Sequence, residues 1–129
     1  MATFQRFEDI EAWKKARQLT KEIYALSNEG TFARDFGLKD QIRRAAVSVM
    51  SNIAEGFERS GTGDFLRFLA IAKGSAGEVR SQLYVAYDLT YVDEERFGKL
   101  SDAAMQISKL LAGLMGYLKD YRDDKGHSR

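Results

Sequence analysis

The sequence predicts an all-α protein, an antiparallel up-and-down four-helix bundle, and three observations lead to that class. Proline is absent from the 129 residues, so nothing breaks a long helix. Apolar residues recur at steps of three and four, which is helical periodicity. Glycine and small polar residues cluster near 27–30, 60–63 and 90–93, where they divide the chain into four segments. Long helices joined by short connections fold back as antiparallel neighbours.

The first two segments each carry an apolar row that would face a common core. The first helix is predicted over about 7–27, with the row Ile10, Trp13, Ala16, Leu19, Ile23 and Leu26. The second is predicted over about 36–58, with the row Leu38, Ile42, Ala45, Val49, Ile53 and Phe57. Both rows follow the three-and-four spacing of an amphipathic helix.

The last two segments complete the bundle. The third helix is predicted over about 63–90, with the row Phe65, Phe68, Ala72, Ala76, Val79, Leu83 and Ala86. The fourth is predicted over about 93–122, with the row Phe97, Leu100, Ala104, Ile107, Leu111, Leu114, Leu118 and Tyr121. Thr62 and Asp93 are the predicted N-caps of these helices. One domain would then cover residues 1–129, with a mobile tail over 123–129.

Composition argues against an enzyme, a cofactor and a metal site. The chain has no cysteine, and its one histidine, His127, lies in the polar tail. Thiolate chemistry, a serine–histidine pair and a histidine-rich di-iron bundle are therefore excluded. The N-terminal residues lack the apolar core of a signal peptide, and no run is long enough to span a membrane. We expect a cytoplasmic protein.

Charge is balanced along the chain. The formal net charge is +1, with ten Lys/Arg against ten Asp/Glu in residues 1–64 and ten against nine in residues 65–129. A nucleic-acid-binding protein usually carries a basic excess, because neutralised phosphates supply most of its affinity. Basic residues do gather around the ends of the second helix, and the candidate nucleic-acid contacts are Lys39, Arg43, Arg44 and Arg59.

Two helix faces indicate contact with a further element. Two glycines, Gly74 and Gly77, lie in line on the third helix, where each costs about 0.8–1 kcal/mol relative to alanine. A polar stripe follows the second helix and consists of Gln41, Arg44, Ser48, Asn52, Glu55 and Arg59. The alternative is a solvated stripe and tolerated surface glycines. If these faces pack against a second copy, the chain forms a homo-oligomer. The candidate interface residues are Arg44, Ser48, Asn52, Glu55, Ala70, Gly74, Gly77, Ser81 and Tyr84.

Four sequence motifs resemble one bacterial family. They are QIRRAAVS at 41–48, SNIAEG at 51–56, FEDIEAW at 7–13 and FLRFLAIAKGS at 65–75. The family comprises proteins first noticed as reading frames within intervening sequences of large-subunit ribosomal RNA genes. The resemblance covers about residues 4–120. Where the family commonly has proline, between the two serines of the second helix, this chain has Met50.

The resemblance implies a four-helix up-and-down subunit that assembles into a ring of five. A relative, the accessory protein of diversity-generating retroelements, is a basic barrel associated with nucleic acid. The function that we expect is therefore a non-enzymatic, homo-oligomeric scaffold or binding protein. The alternative is a nucleic-acid-binding module that presents its basic patch around the ring to RNA or DNA. A third reading, an unusual enzyme using Glu55 and nearby arginines, ranks behind both.

Overall fold

The structure, a computed structural model, describes residues 4–127. After a 3-10 turn at Phe7–Asp9, it contains four α-helices. These are α1 (Glu11–Ser27), α2 (Phe36–Glu58), α3 (Thr62–Asp88) and α4 (Glu94–His127). A second 3-10 turn, Gly30–Arg34, connects α1 to α2. No strand occurs among residues 4–127, so the predicted all-α class is confirmed.

The helices follow one another around the core as a bundle. Each successive pair is in contact, α4 closes on α1, and the seam between α2 and α3 is the most extensive. Cross-helix bonds show the antiparallel order. Tyr91, just after α3, donates to Asp35 at the start of α2, and Arg96 at the start of α4 bonds to Glu29 just after α1.

Most of the core comes from the predicted apolar rows, and six further core residues were not predicted: Ala12, Phe32, Ala46, Leu66, Leu69 and Val92. Residues at their centres, such as Ile23, Ile53, Val79 and Ile107, are 0% exposed. Trp13, Leu38, Phe57, Phe97 and Leu114 border this core and are partly buried. The apolar periodicity therefore identified the buried side of every helix.

The helix limits differ from the predicted ones where the local chemistry differs. The bounds of α2 agree. Helix α1 begins at Glu11 rather than near residue 7, because Phe7–Asp9 form a 3-10 turn and Ile10 is extended. Helix α4 continues to His127 instead of ending near residue 122, where its apolar row ends. Residues 128–129 of the predicted mobile tail lie outside the described residues.

Asp35 and Asp93 cap their helices through carboxylate oxygens. Asp35 accepts from the backbone N–H of Leu38 at 3.2 Å, and Asp93 accepts from that of Arg96 at 2.8 Å. The prediction that Thr62 caps α3 was wrong. Gly61 holds the cap position with a φ of +105°, a backbone conformation that favours glycine, so Thr62 is already inside the helix.

Met50, the residue in place of the family's proline, lies inside α2, and the helix runs through this position. It is partly buried against the core. Within residues 4–127, no helix combines the length and the low charge that crossing a membrane would require.

Candidate functional site

The middle of the polar stripe on α2 bonds to α3 of the same chain. Ser48 Oγ lies 2.9 Å from Oγ of Ser75, which is buried. The Asn52 amide donates to the Ser48 hydroxyl at 2.9 Å and to the Ser48 carbonyl at 2.8 Å. The stripe was predicted to hydrogen-bond to a neighbouring element, and for Ser48 that element is α3. Ser75 was not singled out from the sequence, since its place in the α3 pattern did not reveal its partner.

The two ends of the stripe carry exposed ion pairs within α2. Arg44 Nε lies 2.8 Å from the Asp40 carboxylate, and Arg59 Nε lies 3.0 Å from that of Glu55. The hydrogen bond with Asp40 raises the pKa of Arg44 above its ordinary value. Both pairs are spaced i,i+4 and solvated, so each stabilises the helix only slightly.

The small-residue face of α3, defined as Ala70, Gly74, Gly77 and Ser81, is open. Ala70, Gly74 and Ser81 are exposed, and Gly77 is half-buried. A Cβ added at Gly74 or Gly77 would meet no atom within 4 Å. Because no described residue packs where these Cβ atoms would lie, packing within residues 4–127 does not explain the two glycines.

Large apolar side chains border the small-residue face. Ile71 and Val85 are each 44% exposed, and Tyr84 is 53% exposed. The Tyr84 ring also packs edge-on against Phe97 of α4, with 5.0 Å between ring centroids. Tyr84 was among the predicted interface residues. Ile71 and Val85 were not, although their position beside the glycines on the helical wheel was a usable signal.

Lys39 and Arg43, two of the predicted nucleic-acid contacts, form hydrogen bonds at the corner where the chain turns from α1 to α2. Lys39 Nζ lies 3.5 Å from the Ala33 carbonyl. Arg43 donates to Oγ of the buried Ser27 at 2.8 Å and to the Tyr24 carbonyl at 3.2 Å. Its guanidinium lies 4.3 Å from the centre of the Tyr24 ring. Arg43 thus places a positive charge at the C-terminal end of α1, where the helix dipole favours it.

Arg44 and Arg59, the other two predicted contacts, do not form one patch. They lie 15 positions apart, Arg59 being the residue just after α2, which corresponds to about 22 Å along the helix axis. Besides pairing with Glu55, Arg59 lies 5.0 Å from the centre of the Phe68 ring. Each of the four predicted basic residues therefore has a partner within the chain, and only Lys39, Arg43 and Arg44 lie near one another.

A different set of basic residues is freer of such contacts. Lys14, Lys15, Arg17 and Lys21 are exposed on α1, and none of their side chains forms an ion pair or a hydrogen bond with the side chains or backbone of residues 4–123. The balanced charge totals hid this set, although residues 12–21 contain four cations and no acid. Among the described residues, no group of three acidic, histidine or cysteine side chains is placed to hold a metal ion.

Comparisons with known proteins agree with this architecture. The family model described as the 23S rRNA-intervening sequence protein matches residues 8–113. A crystal structure from Bacteroides thetaiotaomicron, of a protein with unknown function from the S23 ribosomal protein family, superposes with a TM-score of 0.74. It is 23% identical over 81% of this chain and 97% of that one, a likeness that shows the fold. No curated protein matches the chain. On the extent of the family-model match, the chain belongs to the 23S rRNA-intervening sequence protein family.

Proposed function

We propose that this chain is a non-enzymatic subunit of a homo-oligomer that acts as a scaffold or binding protein. Its assembly surface would be the small-residue face of α3 with the neighbouring exposed residues of α2. The observation that carries the proposal is a combination found on α3. A Cβ added at Gly74 or Gly77 would meet no described atom within 4 Å, and three exposed apolar side chains, Ile71, Tyr84 and Val85, lie beside these glycines.

Gly56 shows what a helical glycine does in this protein when it has a neighbour. There α2 and α3 approach so closely that an added Cβ would lie 2.7 Å from Cβ of Phe68. Gly74 and Gly77 offer the same opportunity for close helix packing on a side that the subunit leaves open. A helix of a second copy would fill it.

The energetics favour a partner at this face. Two helical glycines cost together about 2 kcal/mol relative to alanine, and within residues 4–127 no atom packs where their Cβ atoms would lie to offset that cost. Ile71, Val85 and Tyr84 add exposed apolar area beside them. Burial of such area contributes roughly 25 cal/mol per Å² on association, before the entropy cost of assembly.

The stoichiometry and the lack of catalysis are parts of the same proposal. Five subunits is the number that the family resemblance implies, and a cytoplasmic location stays a prediction.

The absence of catalysis is supported by the pKa shifts. The pKa shifts of Glu29, Arg44, Tyr91 and Arg96 come from hydrogen bonds within a helix, for Arg44, or between helix ends, for the other three. A catalytic group would instead be expected in a cleft.

Light scattering coupled to gel filtration tests the proposal. The wild-type protein should exceed the 14.6 kDa of one chain, and Gly77→Arg should elute as a monomer because the new side chain occupies the interface. Gly113→Arg is the matched control, since Gly113 is an exposed α4 glycine with nothing within 4 Å. A wild-type monomer at every concentration, or a Gly77→Arg variant that assembles normally, would refute the proposal.

Nucleic-acid binding through Lys39, Arg43, Arg44 and Arg59 stays an alternative. Their bonds within the chain do not favour it, because a phosphate would have to compete with Asp40, Glu55 or the corner of α1 for each cation.

A further inference from the structure

The basic face of α1, defined as Lys14, Arg17 and Lys21 with Lys15 beside them, is an unusual concentration of uncompensated charge. The steps of three and four between Lys14, Arg17 and Lys21 place them on one side of the helix. The acidic residues nearest in sequence are Glu11 and Glu22, at the two ends of the group. Glu22 accepts a hydrogen bond from Gln18 at 3.4 Å instead of pairing with a cation.

An aromatic ring borders this charge. Trp13 is partly buried, and the Arg17 guanidinium lies 5.9 Å from its ring centre. Trp13, Lys14, Arg17, Gln18 and Lys21, all on α1, surround an open depression between their side chains. Phe7 packs edge-on against Trp13, with 5.2 Å between ring centroids. The exposed Arg17 guanidinium offers a flat surface on which a base can stack beside Trp13.

We propose that the basic face of α1 binds the backbone of a single-stranded nucleic acid, with a base stacked beside Trp13 and Arg17. Lys14 and Lys21 are seven residues apart, which corresponds to about 10 Å along the helix. Consecutive phosphates of a strand rise by about 3.4 Å in a duplex and spread further in an extended single strand, so the face spans two or three of them.

The same observations disfavour a membrane surface and an acidic protein. A helix that lies on a membrane needs an exposed apolar side, whereas the apolar row of α1 is buried in the bundle core. Lysine and arginine pair with carboxylates and with phosphates, so charge alone does not separate an acidic protein from a nucleic acid. The flat guanidinium of Arg17 beside Trp13 does, because a base can stack on it and an acidic side chain cannot.

The site does not depend on the proposed assembly. Helix α1 packs against α2 and α4, so it lies diagonally across the bundle from α3, whose outer face would carry the subunit contacts. The small-residue face of α3 and the exposed α2 residues beside it share no residue with the basic face of α1, so the two surfaces can be tested separately. A monomer would still bind, only without the avidity of several sites.

Fluorescence anisotropy with a labelled oligouridylate tests the proposal. The variant Lys14→Gln/Arg17→Gln/Lys21→Gln is compared with Lys99→Gln/Lys109→Gln/Lys119→Gln, which removes the same charge from exposed positions of α4. Three lost phosphate contacts should lower the salt slope by about 2. Between about 50 and 200 mM salt, the affinity of the wild type and of the control should then weaken about 20-fold more than that of the α1 variant.

Trp13 supplies an independent readout, because it is the only tryptophan in the chain. Its fluorescence should change on titration with the same oligonucleotide and saturate at the same dissociation constant as the anisotropy. Binding seen by anisotropy without a change in Trp13 fluorescence would place the nucleic acid elsewhere and overturn the proposed site.

Other results would also overturn the proposal. They are an α1 variant that binds as the wild type does, no wild-type binding at micromolar protein in low salt, and polyglutamate that displaces the oligonucleotide equally well. The last would identify an acidic polypeptide as the ligand. Light scattering on the α1 variant separates this test from that of assembly, since its subunit number should equal that of the wild type.

Discussion

Gly56 and Gly113 are both helical glycines, but their surroundings are opposite. A Cβ at Gly56 would lie 2.7 Å from Cβ of Phe68 and 3.1 Å from Cδ1 of Phe65. A Cβ at Gly113 would meet nothing within 4 Å. At the first position glycine allows α2 and α3 to pack closely. At the second it only lowers the helix propensity of α4.

Gly56→Ala should therefore destabilise the protein by about 1–3 kcal/mol, the usual cost of overpacking a tight contact. Gly113→Ala should stabilise it by up to about 1 kcal/mol, because alanine is the better helix former. Urea unfolding followed by circular dichroism measures both. A Gly56→Ala variant as stable as the wild type would contradict the close packing of α2 against Phe68.

Arg43 shows what residue-level reading of a sequence can and cannot predict. Its charge and its position beside the core row of α2 were readable, and they suggested a surface cation for nucleic acid. Its partners were not, because Ser27 and the Tyr24 carbonyl reach it only after the 3-10 turn at Gly30–Arg34 folds α1 back against α2. The turn between α1 and α2 determines which groups Arg43 contacts, and apolar periodicity does not predict the geometry of such a turn.

At the scale of the elements, α2 and α3 are held together by polar as well as apolar contacts. The sequence placed Ser48 and Asn52 on a polar stripe, and the helical wheel gave their direction correctly. It could not tell a subunit contact from a contact with α3, because a wheel gives an angle and not the identity of the neighbour. The start of α1 was missed for a related reason. Phe7 keeps the apolar character of the helix that follows while its backbone forms a 3-10 turn.

A double-mutant cycle can measure the hydroxyl pair in this seam. Ser48→Ala and Ser75→Ala should each cost about 0.5–1.5 kcal/mol, and the double variant less than the sum, because the two hydroxyls satisfy each other. Ser51→Ala is the matched control, since Ser51 is exposed on the same helix. Its effect should be small and additive with Ser75→Ala. Additivity of Ser48→Ala with Ser75→Ala would contradict the pairing.

At the scale of the whole molecule, the fold class could be predicted because three independent features of the sequence indicated the same architecture. Proline-free segments, apolar rows and glycine breaks all indicated four helices. The distribution of charge did not follow from totals. The net charge is +1 and is evenly divided between the two halves, yet α1 carries a basic face. The two facts are compatible because many cations elsewhere, such as Arg44 with Asp40, are neutralised by an acidic partner. Locating free charge requires knowing which charges are paired, and pairing between helices is set by the tertiary structure.

One such pair closes the bundle between its first and last helices. Arg96 donates from both terminal nitrogens to the two carboxylate oxygens of Glu29, at 2.8 and 2.9 Å. The hydrogen bond from Arg96 lowers the pKa of Glu29 below 4.5, its ordinary value. The seam between α1 and α4 is the least extensive of the four around the bundle. This bridge is therefore well placed to affect the stability of the whole molecule.

Because the pKa of Glu29 is lower in the folded state than in the unfolded one, the pair stabilises the protein when Glu29 is ionised. That contribution is complete above 4.5 and is lost as the pH falls through the folded value. The two side chains are 53% and 38% exposed, so solvent limits the effect to less than about 1 kcal/mol. Glu29→Gln should therefore reduce the free energy of unfolding at neutral pH and remove part of its decline in acid. Glu95→Gln is the control, because Glu95 pairs with Lys99 within a single turn of α4 and joins no two helices. Denaturant unfolding between neutral and acidic pH measures both variants, and identical pH profiles for the two would show that the Glu29–Arg96 bridge does not stabilise the closure of α1 on α4.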